Sequence, residues 1–290
     1  MALWSYGTVR SPVLACTAMR SALALYGLAL LIRLAFLVMF PDPAYPDSYY
    51  YVNVAQALHA GQGFNIDFIW VFVDVGGWLP TDPRLPIPSN AHWMPLASMV
   101  QVPFFAVLGF NGFAAGLPFA LIGALAAPLT FYIARDAGAP RSVQLGAGLL
   151  IAAPAASAVF MTQPDNFSLF QPLVAGALWL AARGLRGDAR SYALSGLLIG
   201  LATLSRNDGV LVGLAVGLLF AWDRWQWLRA AARPRPRPTI PFAAAVACAG
   251  LFLLVMAPWW MRQLEAIQRI AARLTRKSPA SRQTKSSSPR

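Results

Sequence analysis

Charge is what this sequence has least of. Only 12% of its 290 residues are Asp, Glu, Lys or Arg, against roughly a quarter in an ordinary soluble domain, which excludes a chain whose main solvent is water. Cysteine is scarce too. Cys16 and Cys248 lie in or beside apolar stretches, where a free thiol behaves as a small hydrophobe, so neither a disulfide nor a redox role is expected. No segment shows the short apolar–polar alternation that a membrane barrel needs. No internal repeat of the transporter kind is visible. A nucleotide-binding glycine loop is lacking as well: Gly61-Gln62-Gly63 follows the helix-like Val52 to Ala60 with no strand before it, and reads as a helix cap and turn.

What is abundant is apolar length. Hydrophobic residues make up 58% of the chain, and several uncharged runs reach the roughly 20 residues a helix needs to cross about 30 Å of hydrocarbon. The fold expected is all-α, a polytopic transmembrane bundle. Its spans are expected at Ser21 to Phe40, Phe113 to Ala134, Val143 to Met161, Phe167 to Ala182, Tyr192 to Ser205, Gly209 to Trp222 and Ile240 to Trp260, seven in all. No small-x-small cleavage site follows residues 21–40 before Pro41, Pro43 and Pro46, so that first run reads as an uncleaved signal anchor. Pro95 to Phe110 is shorter and carries Pro103 at its middle, so it reads as an interfacial helix.

Orientation follows from where the arginines fall, because Lys and Arg gather on cytoplasmic loops. Arg10 and Arg20 set residues 1–20 inside. Residues 41–112 then form a large outer loop with Asp42, Asp47, Asp67, Asp74 and Asp82 against Arg84 alone. Under the same count Arg135 and Arg141, then Arg183, Arg186 and Arg190, then Arg224, Arg229, Arg233, Arg235 and Arg237 all fall inside. Counting Pro95 to Phe110 as a span would turn these clusters outward. The net charge of +12 is thereby a topology signal and no nucleic-acid partner is expected. Residues 261–290 carry eight Lys or Arg and end in SPASRQTKSSSPR; they read as a basic, disordered tail that does not continue a membrane fold, as in a truncated product.

Four polar clusters converge on the outer side of this topology. They are Tyr45-Pro46-Asp47-Ser48-Tyr49 after the first span, His92-Trp93-Met94-Pro95-Leu96 at the far end of the loop, Gln163-Pro164-Asp165-Asn166 between the third and fourth spans, and Arg206-Asn207-Asp208 between two short helices. Ionisable residues at a membrane junction are costly to keep, so a convergent set marks a site. Plainer readings exist for each member. Asp47 beside tyrosines fits a cap at an aromatic belt, His92 an interfacial polar residue, Asp165 a helix N-cap and Arg206 a snorkelling side chain.

The order of these motifs resembles the GT-C superfamily of membrane glycosyltransferases, over about Ser21 to Arg262. The likeness is to the protein O-mannosyltransferase and aminoarabinose lipid A transferase branches, including rhizobial lipopolysaccharide galacturonosyltransferase-like proteins. It implies transfer of a sugar from a polyprenyl-phosphate donor to a glycan, lipid or protein acceptor at the outer face of the plasma membrane, with inversion. By the same resemblance Asp47 is the catalytic carboxylate, Asp165 a second acid, His92 a contact to acceptor or donor phosphate, and Arg206 a contact to the lipid phosphate. Tyr45, Tyr49, Asn207 and Asp208 are expected as further contacts. The metal-dependent branch of the superfamily uses an Asp-x-Asp signature, whereas Asp42 and Asp47 are five apart, so a divalent metal is possible but not favoured and no other cofactor is expected. Full-length relatives continue past Pro258-Trp259-Trp260, so a C-terminally truncated, inactive member is one alternative. A polytopic transporter binding a polar solute through its outer Asp and Arg residues is another.

Overall fold

A computed structural model of the chain describes residues 12–70, 85–90, 93–153, 160–230 and 238–275. Most of the described residues are helical. The elements are α1 (Pro12–Met39), α2 (Pro46–His59), α3 (Leu96–Met99), α4 (Val102–Leu108), α5 (Gly112–Ala124), α6 (Ala126–Asp136), α7 (Arg141–Ala152), α8 (Phe167–Gly184), α9 (Ala189–Ser205), α10 (Gly209–Arg229) and α11 (Phe242–Thr275). Two short antiparallel strands, β1 (Asn65–Ile66) and β2 (Ile87–Pro88), close part of the segment between α2 and α3.

Three stretches are long and apolar enough to cross a membrane: Cys16–Met39, Gly112–Asp136 and Phe242–Glu265. The middle one is α5 and α6 run together. Pro128 has no N–H to offer the carbonyl of Ala124, and the helix breaks just before it, at Leu125. The expected span Val143 to Met161 corresponds to a 12-residue helix, α7, followed after residues 154–159 by the 3-10 turn Phe160–Thr162. Helices α8, α9 and α10 stand where three further spans are expected, with 18, 17 and 21 residues. The pair α9 and α10 is longer than the 14 residues apiece read from apolar runs, because polar ends such as Ala189-Arg190-Ser191 and Arg224 to Arg229 continue the helices beyond their apolar centres. Residues Pro95 to Phe110 form two short helices, broken near Val100 and Gln101 rather than at Pro103, which sits harmlessly in the first turn of α4. Helix α11 runs past Trp260 to Thr275, so the first half of the segment read as a disordered tail is helical. Its run Gln263 to Leu274 is rich in Ala, Leu, Gln and Arg, all good helix formers.

Packing divides the helices into two groups. Helix α1 lies against α5, α6 and α7, while α9 is sandwiched between α8 and α11, and α5 and α6 join the groups through α8. Small residues allow these approaches. A Cβ added at Gly196 of α9 would overlap the backbone of Cys248 in α11, so that crossing accepts only glycine. Arg33, buried in α1, donates from Nη1 to the carbonyls of Ala29 and Ala152, which satisfies a carbonyl at the end of α7.

The bundle has two polar ends. At one, Arg141 donates to Ser21 at 2.5 Å, Asp136 accepts from Trp179 at 3.1 Å and pairs with Arg183 at 3.6 Å, and Asp223 accepts the backbone N–H groups of Thr239 and Ile240 ahead of α11. At the other lie residues 41–70, 85–90 and 93–111, the 160–166 turn, the 206–208 turn and the far end of α11. Arg262 closes that end by donating to the carbonyls of Ser89 at 2.8 Å and Phe64 at 3.3 Å, and Gln263 donates to Asn90 at 2.6 Å.

Candidate active site

The second polar end holds the site, and α2 is its base. Pro46 opens α2 with its fixed φ and no N–H to lose, and Tyr45 takes the extended N-cap geometry before it. That places Asp47 in the first turn, where the positive helix end favours a carboxylate. The Tyr45 hydroxyl turns back and donates to Asp165 Oδ2 at 2.6 Å. Asp165 is buried, and its other oxygen accepts the N–H of Asn166. Asn166 occupies the N-cap position of α8 without a side-chain capping bond, so Asp165 is not the cap in the ordinary sense; it stands one residue before it.

Burial raises the pKa of Asp47, and the nearby charge of Asp165 raises it further. The same two causes, burial first and then the Asp165 interaction, push the Tyr45 phenol far above its usual range. Tyr51, one turn on from Asp47, is pushed up likewise by burial and then by the charges of Asp165 and Asp47. Asp47, Tyr45, Tyr51 and Asp165 therefore form one electrostatic unit. Two segments brace it: Ala44 donates its N–H to Gln163 Oε1 at 2.9 Å, and Asn166 Nδ2 donates to the Tyr51 hydroxyl at 3.2 Å.

The 206–208 turn reaches the same end. Ser205, at the close of α9, donates to the Asn166 carbonyl at 3.1 Å, which ties this turn to the start of α8. Arg206 stacks over Phe167 and Phe170, 5.1 and 5.5 Å from their ring centres, so two aromatics of α8 hold it beside the acid-bearing turn. Its Nε and Nη2 atoms grip Asp208 at 3.1 and 3.2 Å, and this pairing lowers the pKa of Asp208. The arginine is thus already paired on one edge of its fork. Asn207 forms the turn itself, its carbonyl accepting from Val210.

Of the residues singled out in the sequence, Tyr45, Asp47 and Asp165 come together, and Arg206, Asn207 and Asp208 adjoin them. Tyr49 does not: it projects from the opposite side of α2 toward Asp42, Asn53 and Gln56. His92 lies outside the described residues. Tyr51, Asn166 and Ser205 belong to the site although only neighbours of theirs were singled out as contacts. The sequence signal for Tyr51 was its place four residues after Asp47, one helical turn along the same face. Among the described residues, no three His, Cys, Asp or Glu side chains gather as metal ligands.

Fold and site together define a helical membrane protein with an acidic site at one polar end of its bundle. The sequence profile of the dolichyl-phosphate-mannose-protein mannosyltransferase family matches residues 91–261, more than half of the chain, and the chain belongs to that family; it is a membrane glycosyltransferase of the GT-C type. A comparison with curated proteins finds no match. The matched stretch includes Asp165 and Arg206, whereas Tyr45 and Asp47 precede it.

Proposed function

We propose that the protein moves a sugar from a polyprenyl-phosphate donor to an acceptor hydroxyl on the non-cytoplasmic side of the plasma membrane, with inversion, and that Asp47 is the catalytic base. In this reading the chain spans the bilayer seven times with its N-terminus in the cytoplasm. The acceptor O–H gives its proton to the Asp47 carboxylate as its oxygen bonds to the anomeric carbon. The bond from that carbon to the phosphate oxygen breaks, and the lipid phosphate leaves with the electron pair. Asp165 keeps Asp47 a stronger base than an isolated carboxylate, and the Tyr45 hydroxyl holds Asp165 in place. Arg206 faces the departing phosphate with the part of its fork that Asp208 leaves open. His92 contacts acceptor or phosphate.

The observation that supports this reading best is the gathering of two carboxylates at one polar end: Tyr45, at the N-cap of the helix whose first turn carries Asp47, donates to buried Asp165 at 2.6 Å, and burial together with the Asp165 charge raises the pKa of Asp47. Membranes containing the full chain, supplied with radiolabelled polyprenyl-phosphate mannose and, in parallel, the galacturonic acid and aminoarabinose counterparts, test it. Asp47→Asn is expected to reduce sugar transfer on the order of 100-fold or more. Equal transfer by the native chain and this variant would remove Asp47 from the mechanism.

A further inference from the structure

The side of α2 turned away from Asp47 carries a second set of polar groups that the proposed chemistry does not use. Tyr49, Asn53 and Gln56 recur there at helical spacing, while Tyr50, Tyr51 and Val54 face the core. Two cavities open along this side and share Asn53 and Gln56 in their walls. The first, about 190 Å³, is completed by Gln62, Asn65 and Asp67. The second, about 380 Å³, is completed by Asp42, Tyr49, Phe68 and Phe110. Together they reach the size of small-ligand clefts, roughly 300 to 1,000 Å³.

The lining specifies a ligand class. Side-chain amides pair a donor with an adjacent acceptor, which matches neighbouring hydroxyls that must both give and take a hydrogen bond. Asn53 and Asp67 are already set in place, Asn53 Nδ2 donating to Asp67 Oδ1 at 2.6 Å and the Asp67 N–H reaching back to Asn53 Oδ1. Asn65 is likewise fixed by donating to the Gln62 carbonyl at 2.6 Å. Gln56, at the junction of the two cavities, is exposed. Phe68, Phe110 and Tyr49 supply aromatic surface for the apolar C–H faces of a ring. Among the described residues no Lys or Arg lines either cavity, while Asp42 and Asp67 do, so an acidic ligand would meet like charge.

We infer that this trough binds a saccharide free of acidic groups, the part of the acceptor that lies beyond its reacting hydroxyl. The assignment to an acceptor rests on the transferase reading; the assignment to a saccharide rests on the trough. It makes a glycan the acceptor class and gives α2 two functions, base on one side and acceptor seat on the other.

Saturation-transfer NMR on the full chain in lipid nanodiscs tests the inference, with α-mannotriose, maltotriose and β-galactotriose as probes and trigalacturonic acid as the acidic comparison. At least one neutral trimer is expected to bind. Gln56→Trp, which fills the junction, is expected to weaken that binding at least tenfold, Gln56→Ala to weaken it less, and Asp47→Asn to leave it unchanged. Absence of signal from every neutral trimer, binding by both Gln56 variants equal to the native chain, or equal binding of the acidic trimer would overturn the inference. The two readings separate cleanly. If transfer proves independent of Asp47 while Gln56→Trp still loses the saccharide, the catalytic proposal falls and the binding site stands.

Discussion

Asp47 differs from a free carboxylate by its surroundings. Asp165 adds its charge to the effect of burial and raises the pKa of Asp47, so Asp47 is protonated at a higher pH than a free carboxylate would be. As the proposed base, Asp47 works only when ionised, so the rate should fall as pH drops through that raised value. Asp165→Asn removes one of the two causes, and the acid limb of the transfer rate is expected to move to lower pH; a pH–rate profile on the variant checks it. Tyr45→Phe strips the hydroxyl from a buried carboxylate. The expected cost is about 1 to 3 kcal/mol of stability, read as a lower thermal midpoint in detergent. The pairing of Tyr45 with Asp165 was not legible in the sequence, because the two are 120 positions apart and nothing local encodes their meeting. What the sequence did offer was each residue separately as a candidate, since an acid in a Pro-bounded turn beside an apolar run is costly wherever it stands. For Arg206 the sequence suggested an open cation, whereas Asp208 two residues later already takes half its fork.

Among the elements, glycine sets how close helices come. Gly196 lets α9 meet the backbone of α11, and no neighbouring side chain can give way because the obstructing atoms are main chain. Gly196→Val is expected to force these helices apart and destabilise the bundle by several kcal/mol, as with other large intrusions into tight packing, where 1 to 3 kcal/mol is common and more occurs. Limited proteolysis and size-exclusion profiles of the variant in detergent would report the loss. Helix positions were largely readable from the apolar runs. Their ends were not, because helices α9 and α10 carry polar residues well past the hydrocarbon-like centre, and hydropathy is blind to a helix that continues into water. The break in α5–α6 was missed for a related reason: Pro128 sits inside an apolar run, and apolarity dominated the reading.

At the scale of the whole molecule, the helices connect two polar ends of opposite character. Arginines Arg135, Arg141 and Arg183 gather with Asp136 at one end, and Asp42, Asp47, Asp67 and Asp165 belong to the other. The proposed topology puts the acidic end outside. With Cys16 and Cys248 replaced by Ala, a single cysteine at exposed Gln62 should react with a membrane-impermeant maleimide on intact cells, and one at Arg190 should react only after permeabilisation. The reverse pattern would invert the topology and with it the side on which sugar is delivered.

The contact of Arg262 with Ser89 and Phe64 ties the last described helix to the segment between α2 and α3. During synthesis α2 and the β1–β2 hairpin emerge long before residue 262 exists to clasp them. The end that carries the candidate site is therefore a late product of biogenesis: ribosome-stalled chains ending before Pro258 should display a protease-sensitive loop, and sugar transfer should be absent until α11 has been inserted and docked.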